Sequence, residues 1–155
     1  MGSEWRIGIP SKAFRRELKE VFPNIDPSVD LSVAVLLQDA KVDLLSDSYF
    51  KVKDKCLENF FNACNQLIEL LPGEFCDYID PTSGYPMVSD PAGIYSEIDA
   101  CQRLIRLPLI SVGGCYMLSH PVYGTRLYPA SFITTASQEK LQAALDKVQV
   151  PEIEL

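Results

Sequence analysis

The chain is poor in the residues that build metal sites. It has one histidine, and its five cysteines include no CxxC pair. Zinc sites need clustered cysteine and histidine ligands, so the common zinc modules are excluded, and spacings this wide are not typical of a disulfide framework. Scattered thiols of this kind favour a reducing compartment, in which most of them are small core residues. The five are Cys56, Cys64, Cys76, Cys101 and Cys115.

The chain also lacks an excess of positive charge and a long apolar run. Its formal net charge is −7, which argues against binding nucleic acid through a general positive field. No apolar run approaches the ~20 residues of a membrane span, and no signal peptide is evident. No P-loop, no GxGxxG motif after a strand and no HExxH motif is present, so the usual signatures of nucleotide binding and of zinc proteases are missing.

With 155 residues, the chain is expected to form a single domain. Its first three residues, Met-Gly-Ser, are typical of a leader added for expression, so we expect the natural protein to begin earlier. The core is expected to run from about residue 11 to residue 148, and the acidic tail at 149–155 is expected to fray.

Three helices are predicted from capping residues and hydrophobic spacing. The first is capped by Ser11 and stopped by Pro23, and the last is capped by Ser137. The strongest covers 53–71, where apolar residues recur at i, i+3, i+4 and i+7.

A fourth predicted helix opens at Asp90-Pro91 and ends before Pro108. Four apolar residues keep helical spacing along it and are expected to mark its inner face. They are Ile94, Ile98, Cys101 and Ile105.

Strands are predicted at 31–37, 42–50, 75–79, 115–119 and 126–134. The first two are predicted to pair as an antiparallel hairpin, and the last two to follow one another through the turn at 120–124. Pro129 has no N–H to donate, so its strand is expected to lie at a sheet edge or to carry a bulge. The expected fold is α+β, an antiparallel sheet with helices packed on it.

The densest chemistry lies where Gly113-Gly114 precedes Cys115 and His120 follows in a His-Pro turn. The glycines suit a thiol presented to a large ligand or a soft metal, and they equally suit a plain turn that feeds a strand. Cys115 and His120 are five residues apart, so on one strand they point to opposite faces, which disfavours a catalytic pair. His120 is then either a ligand or base, or a hydrogen-bonded structural residue.

Two acids, Asp77 and Asp80, lie close together before a second turn. Paired carboxylates can perform acid–base catalysis, but Asp80 begins a DPTSG sequence in which its side chain and that of Ser83 can bond back to the backbone. A turn-forming role is therefore the preferred interpretation.

Three segments, in this order and spacing, resemble one known family. They are CDYIDPTSGYP at 76–86, YSEID at 95–99 and GGCYMLSHPVYGT at 113–125. Together with FITTA at 132–136, they resemble the methylmalonic aciduria and homocystinuria type D protein family. The resemblance reaches from the first helix to about Ala136, and the combination IDPxSG…HxxxGT is specific.

The resemblance implies a nitroreductase-like α+β fold that has lost flavin binding and activity. It implies a non-enzymatic trafficking adaptor that binds no cofactor alone and shares the cobalamin (vitamin B12) of a partner, the type C cobalamin-processing protein. The adaptor would direct cobalamin to cytosolic methionine synthase and mitochondrial methylmalonyl-CoA mutase. The implied location is the cytoplasm, with the mitochondrion as a further compartment, and neither nucleic acid nor membrane is an implied partner.

The resemblance also assigns site residues. Gly113, Gly114 and Cys115 form the loop that faces cobalamin, Cys115 is the candidate cobalt ligand, and Asp99 and His120 are candidate partner contacts. The family pattern is Gly-Cys-Cys with the first cysteine on cobalt, so Gly114 stands here at the ligating position. Either Cys115 takes over by a local shift, or this homologue works without a cobalt–thiolate bond.

Two other functions stay open from the sequence. A flavin-dependent oxidoreductase of the nitroreductase-like class would need a basic phosphate-binding cluster, for which Arg103, Arg106 and Arg126 are the nearby candidates. A thiol redox protein would need a resolving thiol near Cys115, namely Cys76 or Cys101.

Overall fold

The computed structural model describes residues 2–43 and 45–155 and contains four helices and six strands in that part of the chain. In chain order they are β1 (Ser3–Gly8), α1 (Lys12–Leu18), β2 (Ser32–Asp39), α2 (Tyr49–Leu70), β3 (Cys76–Tyr78), α3 (Glu97–Ile105), β4 (Leu109–Val112), β5 (Cys115–Leu118), β6 (Leu127–Thr134) and α4 (Gln138–Leu145). The mixed composition and antiparallel pairing confirm the predicted α+β class. No helix of the described residues is long and apolar enough to cross a bilayer.

The main sheet has four antiparallel strands in the order β1-β2-β6-β3. Strand β2 lies in the middle and is buried over seven of its eight residues, as its continuous apolar sequence predicts. Its side chains alternate between two cores. Val33 and Val35 pack with α1 and α3, whereas Ala34 and Leu36 face α2 and α4.

Helices therefore cover both faces of the sheet. On one face, α2 presents Phe60, Cys64 and Leu67, and α4 adds Leu141 and Leu145. On the other face lie α1, α3 and the base of a separate two-stranded sheet formed by β4 and β5. The result is a three-layer arrangement in which α1, α3 and the β4–β5 hairpin share one side.

The predicted helix caps are confirmed at both ends of the chain. The Ser11 hydroxyl accepts a hydrogen bond from the Phe14 N–H at 3.1 Å, and the Ser137 hydroxyl accepts one from the Lys140 N–H at 3.2 Å. Each satisfies one of the N–H groups that a helix start leaves without an intrahelical partner.

The predicted hairpin between 31–37 and 42–50 is wrong. Leu44 lies outside the described residues; residues 41–42 and 45–48 form bends and turns, and Tyr49 already begins α2. Lys41 has a positive φ of 62°, which turns the chain away from an extended path directly after β2. The antiparallel partners of β2 are instead β1 and β6.

The expected core limits of 11 and 148 are both too narrow. Strand β1 pairs along its whole length with β2, from Ser3 opposite Gln38 to Gly8 opposite Val33. At the other end Ile153 is 2% exposed and packs with Val52 and Tyr128, so the core extends to this residue.

Pro129 lies on β6, which is an inner strand by order, so the expectation of an edge strand is wrong for the strand as a whole. The Arg126 carbonyl accepts from Ala40 on the β2 side, and the Ser131 carbonyl accepts from Ile79 on the β3 side. By alternation Pro129 faces the β3 side, beyond the last contact of that short strand. Its missing N–H therefore falls where no neighbouring strand needs it.

Helix α3 begins at Glu97, later than predicted, and it is turned about its axis. Its buried residues are Ala100 and Cys101, with Leu104 packed beside them against Gly8, while Ile94 and Ile98 are 67% and 47% exposed. The small side chains lie toward the sheet because they let the helix approach it closely. Of the four residues expected on the inner face of this helix, Cys101 and Ile105 therefore contact the core, whereas Ile94 and Ile98 do not.

Candidate functional site

The candidate site is a β-hairpin that carries the thiol at its tip. Strands β4 and β5 pair from Leu109 opposite Leu118 to Val112 opposite Cys115, joined by the two residues Gly113 and Gly114. Both glycines have positive φ, 55° and 85°, as a type I′ turn requires. A β-carbon at either glycine would meet no atom within 4 Å, so the tip is open on all sides.

The hairpin has an anchored base and a free tip. Leu118 is buried and Leu109 packs against the core on the α1/α3 side, whereas Cys115 and Tyr116 are exposed. The Ser119 N–H donates to the Pro108 carbonyl at 2.9 Å and closes the base. A firmly held base supports a tip that can reach beyond the body of the protein.

Cross-strand pairing gives the hairpin one apolar face. Residues paired across an antiparallel ladder share a face, and alternate residues lie on opposite faces. The pair Val112–Cys115 therefore lies on the same face as the pair Ile110–Met117. We call these four residues the thiol face. An exposed soft sulfur at the end of an apolar strip is suited to a large, partly apolar ligand with a soft metal at its centre.

His120 does not join this thiol. It is 5% exposed and lies beyond the base of the hairpin, about 17 Å along the strand direction from Cys115. Its Nδ1 atom accepts hydrogen bonds from the Val122 and Tyr123 N–H groups at 3.0 and 3.1 Å. The proton of the neutral ring is therefore on Nε2, which donates to Glu4 Oε1 at 2.5 Å.

These contacts make His120 a structural residue. Its ring stacks on Tyr123 with centroids 4.1 Å apart, and its two nitrogens hold a turn and strand β1 together. Burial opposes ionisation of Glu4, but the hydrogen bond from His120 and the charge of Arg6 outweigh it, so the pKa of Glu4 lies below its ordinary value. The expectation that His120 contacts a partner is not supported, because its side chain is not on the surface.

The acids Asp77 and Asp80 have structural roles. Asp77 is fully buried, and its carboxylate accepts hydrogen bonds from the N–H groups of Tyr78, Val88 and Ser89 at 2.8–2.9 Å. Asp80 accepts from the Thr82 N–H at 2.9 Å, as the turn sequence predicts. The first motif of the resemblance therefore fixes the loop that leads to α3.

The second motif continues this scaffold and contains a buried acid. The Tyr95 N–H donates to the Gly84 carbonyl at 2.8 Å, and the Tyr95 hydroxyl donates to Ser131 Oγ at 3.1 Å. Ser131 in turn donates to Glu97 Oε1 at 2.6 Å. Burial raises the pKa of Glu97 to about 7, against the hydrogen bonds from Ser131 and Cys101.

Glu97 as a residue is part-buried, but its carboxylate is buried, and sequence reasoning missed this group. Its Oε2 atom is buried and has no hydrogen-bond partner among the described residues. A signal was present, because positions 97, 100, 101 and 104 repeat at i, i+3, i+4 and i+7. The inward face was not predicted because its first position, 97, carries a glutamate and not an apolar residue.

Asp99 lies on the outer side of α3 and is half exposed. It pairs with Arg103 at 3.2 Å, and Arg103 also pairs with Glu17 on α1 and lies over the Phe14 ring, 4.6 Å from its centroid. Asp99 is thus accessible, and its contact with a partner stays a prediction.

The other chemistries receive little support from these contacts. Cys76 and Cys101 are buried, and burial raises the pKa of both thiols, which makes them poor partners for exchange with an exposed Cys115. Of the basic residues considered for a flavin phosphate, Arg103 is paired with two acids and Arg126 donates to the Tyr123 carbonyl beside Asp39. No cluster of three or more metal-ligating side chains occurs in the described part of the chain.

Comparison with known proteins decides the family. The model of the family described as methylmalonic aciduria and homocystinuria type D protein matches residues 7–149. The chain belongs to this family. The match covers both cores, the hairpin and the scaffold beneath α3, so the recognition made from three short motifs is confirmed.

Curated relatives of the type D family carry one name. The cobalamin trafficking proteins CblD of Gallus gallus, Rattus norvegicus and Homo sapiens are each 25% identical over 134 residues, which is 81% of this chain. The matched region is 44% of each relative, so the chain spans less than half of their length. The family and these names support a role in cobalamin trafficking.

Proposed function

We propose that this chain is a cobalamin-trafficking adaptor that docks on the type C cobalamin-processing protein. The observation that carries the proposal is the exposed, apolar-faced hairpin with Cys115 at its tip, in a chain that belongs to the type D family. The adaptor would present this tip to cobalamin held by the partner and bind no cofactor of its own. It would perform no catalysis, on a nitroreductase-like fold that has lost flavin chemistry.

Cobalamin is cargo in this proposal, and the residues at the tip suit it. A thiolate is a soft ligand that cobalt accepts, and the thiol face offers apolar contact to the corrin ring around the metal. Cys115 is the exposed cysteine of the five in the described chain. Cobalamin would then pass to cytosolic methionine synthase or to mitochondrial methylmalonyl-CoA mutase, with the adaptor in both compartments.

Gly114 stands where the type D pattern has its first cysteine. A side chain there would find open space, but the φ of 85° strains any residue with a β-carbon. The Gly113-Gly114 turn keeps the tip unstrained and leaves Cys115 one residue further along. We therefore assign the cobalt-facing role to Cys115 and not to position 114.

Co-elution with the type C protein loaded with cobalamin tests the adaptor role. We expect a stable heteromer on size exclusion, with cobalamin in the same fraction. The Gly114→Cys variant, which restores the family pattern, should form the heteromer equally well. Absence of any complex with the loaded partner would contradict the proposal, and a yellow purified protein with a flavin band would favour the oxidoreductase alternative.

A further inference from the structure

Two apolar residues at the start of helix α3 are exposed to solvent, on the side of the sheet where the base of the hairpin packs. Ile94, in the segment just before the helix, is 67% exposed, and Ile98, in the first turn of the helix, is 47% exposed. Ile98 is exposed because Ala100, Cys101 and the Glu97 carboxylate occupy the inner face of the helix. Exposed apolar residues become informative when they border a groove with an apolar floor.

Ile94 lines a groove between α1 and the start of α3. The groove has a volume of about 360 Å³ and an apolar floor formed by Phe14, Leu18 and Val21. Gly93 packs directly on the backbone of Glu20, since a β-carbon there would lie 2.6 Å from the Glu20 carbonyl oxygen. A groove of this size can take one or two apolar side chains of a partner segment.

The rim of the groove is acidic. It carries Glu17, Glu20 and Asp99 against a single cation, Arg103. Arg103 is already engaged by Glu17 and Asp99 and by the face of Phe14, so its charge is compensated within the groove. The net field at the opening is therefore negative, and Glu20 has no ion-pair partner among the described residues.

We propose that the α1–α3 groove receives an amphipathic segment of the partner, with an apolar side chain on the floor and a lysine or arginine beside Glu20 and Asp99. This inference rests on the proposed function, because it names the surface by which the adaptor holds its partner. Helix α3 leads into the hairpin through residues 106–108, and the base of the hairpin packs on the same core as α1 and α3. In this proposal the groove binds the partner protein, and the hairpin contacts the cobalamin that the partner holds.

Affinity of variants for the cobalamin-loaded type C protein, measured by calorimetry, tests the groove. Ile94→Ser and Glu20→Lys should each weaken binding about tenfold or more, and added salt should weaken the parent more than Glu20→Lys. Matched controls lie on α2, across the sheet: Phe50→Ser removes an equally exposed apolar residue, and Glu58→Lys makes the same charge change. Both controls should bind like the parent chain.

The outcomes separate this inference from the proposed function. If the parent binds and both groove variants bind as well as their controls, the groove inference is overturned and the adaptor role stands. If the parent itself does not bind the loaded partner, the adaptor role fails and the inference fails with it. Light scattering on the chain alone identifies a third outcome: a dimer abolished by Ile94→Ser, with partner affinity unchanged, would make the occupant a second copy and overturn the inference.

Discussion

At the scale of single residues, Glu97 combines burial with an incomplete set of hydrogen bonds. One carboxylate oxygen accepts from Ser131 and from the Cys101 thiol, and the other is buried without a partner in the described chain. A buried oxygen without a partner costs on the order of 1–3 kcal/mol, and more when it carries charge. The protonated form is favoured, which agrees with a pKa raised from 4.5 to about 7.

Folding stability should therefore fall as the pH rises from about 4.5 to 7. Over this range the unfolded chain loses the proton of Glu97 while the folded chain keeps it, so ionisation of the unfolded state draws the equilibrium toward unfolding. Above pH 7 the loss is complete and constant. We expect Glu97→Gln to remove this slope and to raise the free energy of unfolding at pH 8 by roughly 1–3 kcal/mol.

Urea unfolding of both chains at pH 5, 6, 7 and 8 measures the effect. The difference between parent and variant isolates Glu97 from other carboxyl groups, such as Glu4, whose pKa lies below its ordinary value. A difference that does not change with pH would contradict the buried, protonated state of Glu97.

His120 should act on stability and not on partner binding. In His120→Ala, the Val122 and Tyr123 N–H groups lose their acceptor and Glu4 loses its donor, which should cost about 2–3 kcal/mol. Affinity for the loaded partner should change less than about twofold. Denaturant unfolding and calorimetry measure the two quantities, with the exposed Val122→Ala as control; a large loss of affinity without loss of stability would restore the surface role.

At the scale of elements, the loop from β3 to α3 depends on one buried carboxylate. Asp77 holds the N–H groups of Tyr78, Val88 and Ser89, and these positions set the path to Tyr95 and the start of α3. Asp80, three residues later, serves an exposed turn. The two aspartates lie three positions apart, but Asp77 is buried and Asp80 is partly exposed.

Replacing the two acids separately should show this difference. Asp77→Ala leaves three N–H groups without an acceptor and should lower the free energy of unfolding by about 3 kcal/mol or more. Asp80→Ala should cost about 1 kcal/mol or less. Denaturant unfolding of both variants compares them, and equal losses would show that Asp77 does not anchor the loop.

Elements with strong local signals could be predicted, and elements fixed by distant pairing could not. The Ser11 and Ser137 caps and the inner face of α2 follow from neighbours within one or two turns. Strand β1 was missed because it is short and close to the N-terminus, although Trp5 and Ile7 alternate toward one core. The predicted strand at 42–50 failed because nothing in its apolar residues records that β1 already occupies that side of β2.

The candidate site was predicted in part, for similar reasons. The strand after Gly113-Gly114 and the separation of Cys115 from His120 followed from the residues. The partner strand of that hairpin is β4, before the glycines, and not the later strand at 126–134. Two glycines in a turn connect two paired strands, so they also predict a strand before Gly113. Only the strand after Gly114 was predicted. Burial of His120 and Glu97 depends on β1 and β6, which are distant in sequence.

At the scale of the whole molecule, the two sides of the sheet have different roles. The α2/α4 side packs a continuous core of aromatic and aliphatic residues. The α1/α3 side carries the acidic groove, the exposed isoleucines and the hairpin. The groove and the base of the hairpin thus lie on one side of the sheet, as the proposed adaptor role requires.

The visible absorbance of cobalamin tests the central claim most directly. The type C protein loaded with cobalamin is titrated with the parent chain and with Cys115→Ser, and the heteromer is quantified in parallel. We predict that the parent shifts the cobalt bands at the stoichiometry of the complex, and that Cys115→Ser forms the same complex without the shift. Unchanged bands in a fully formed parent complex, or equal shifts with both chains, would contradict a cobalt-facing thiol at Cys115.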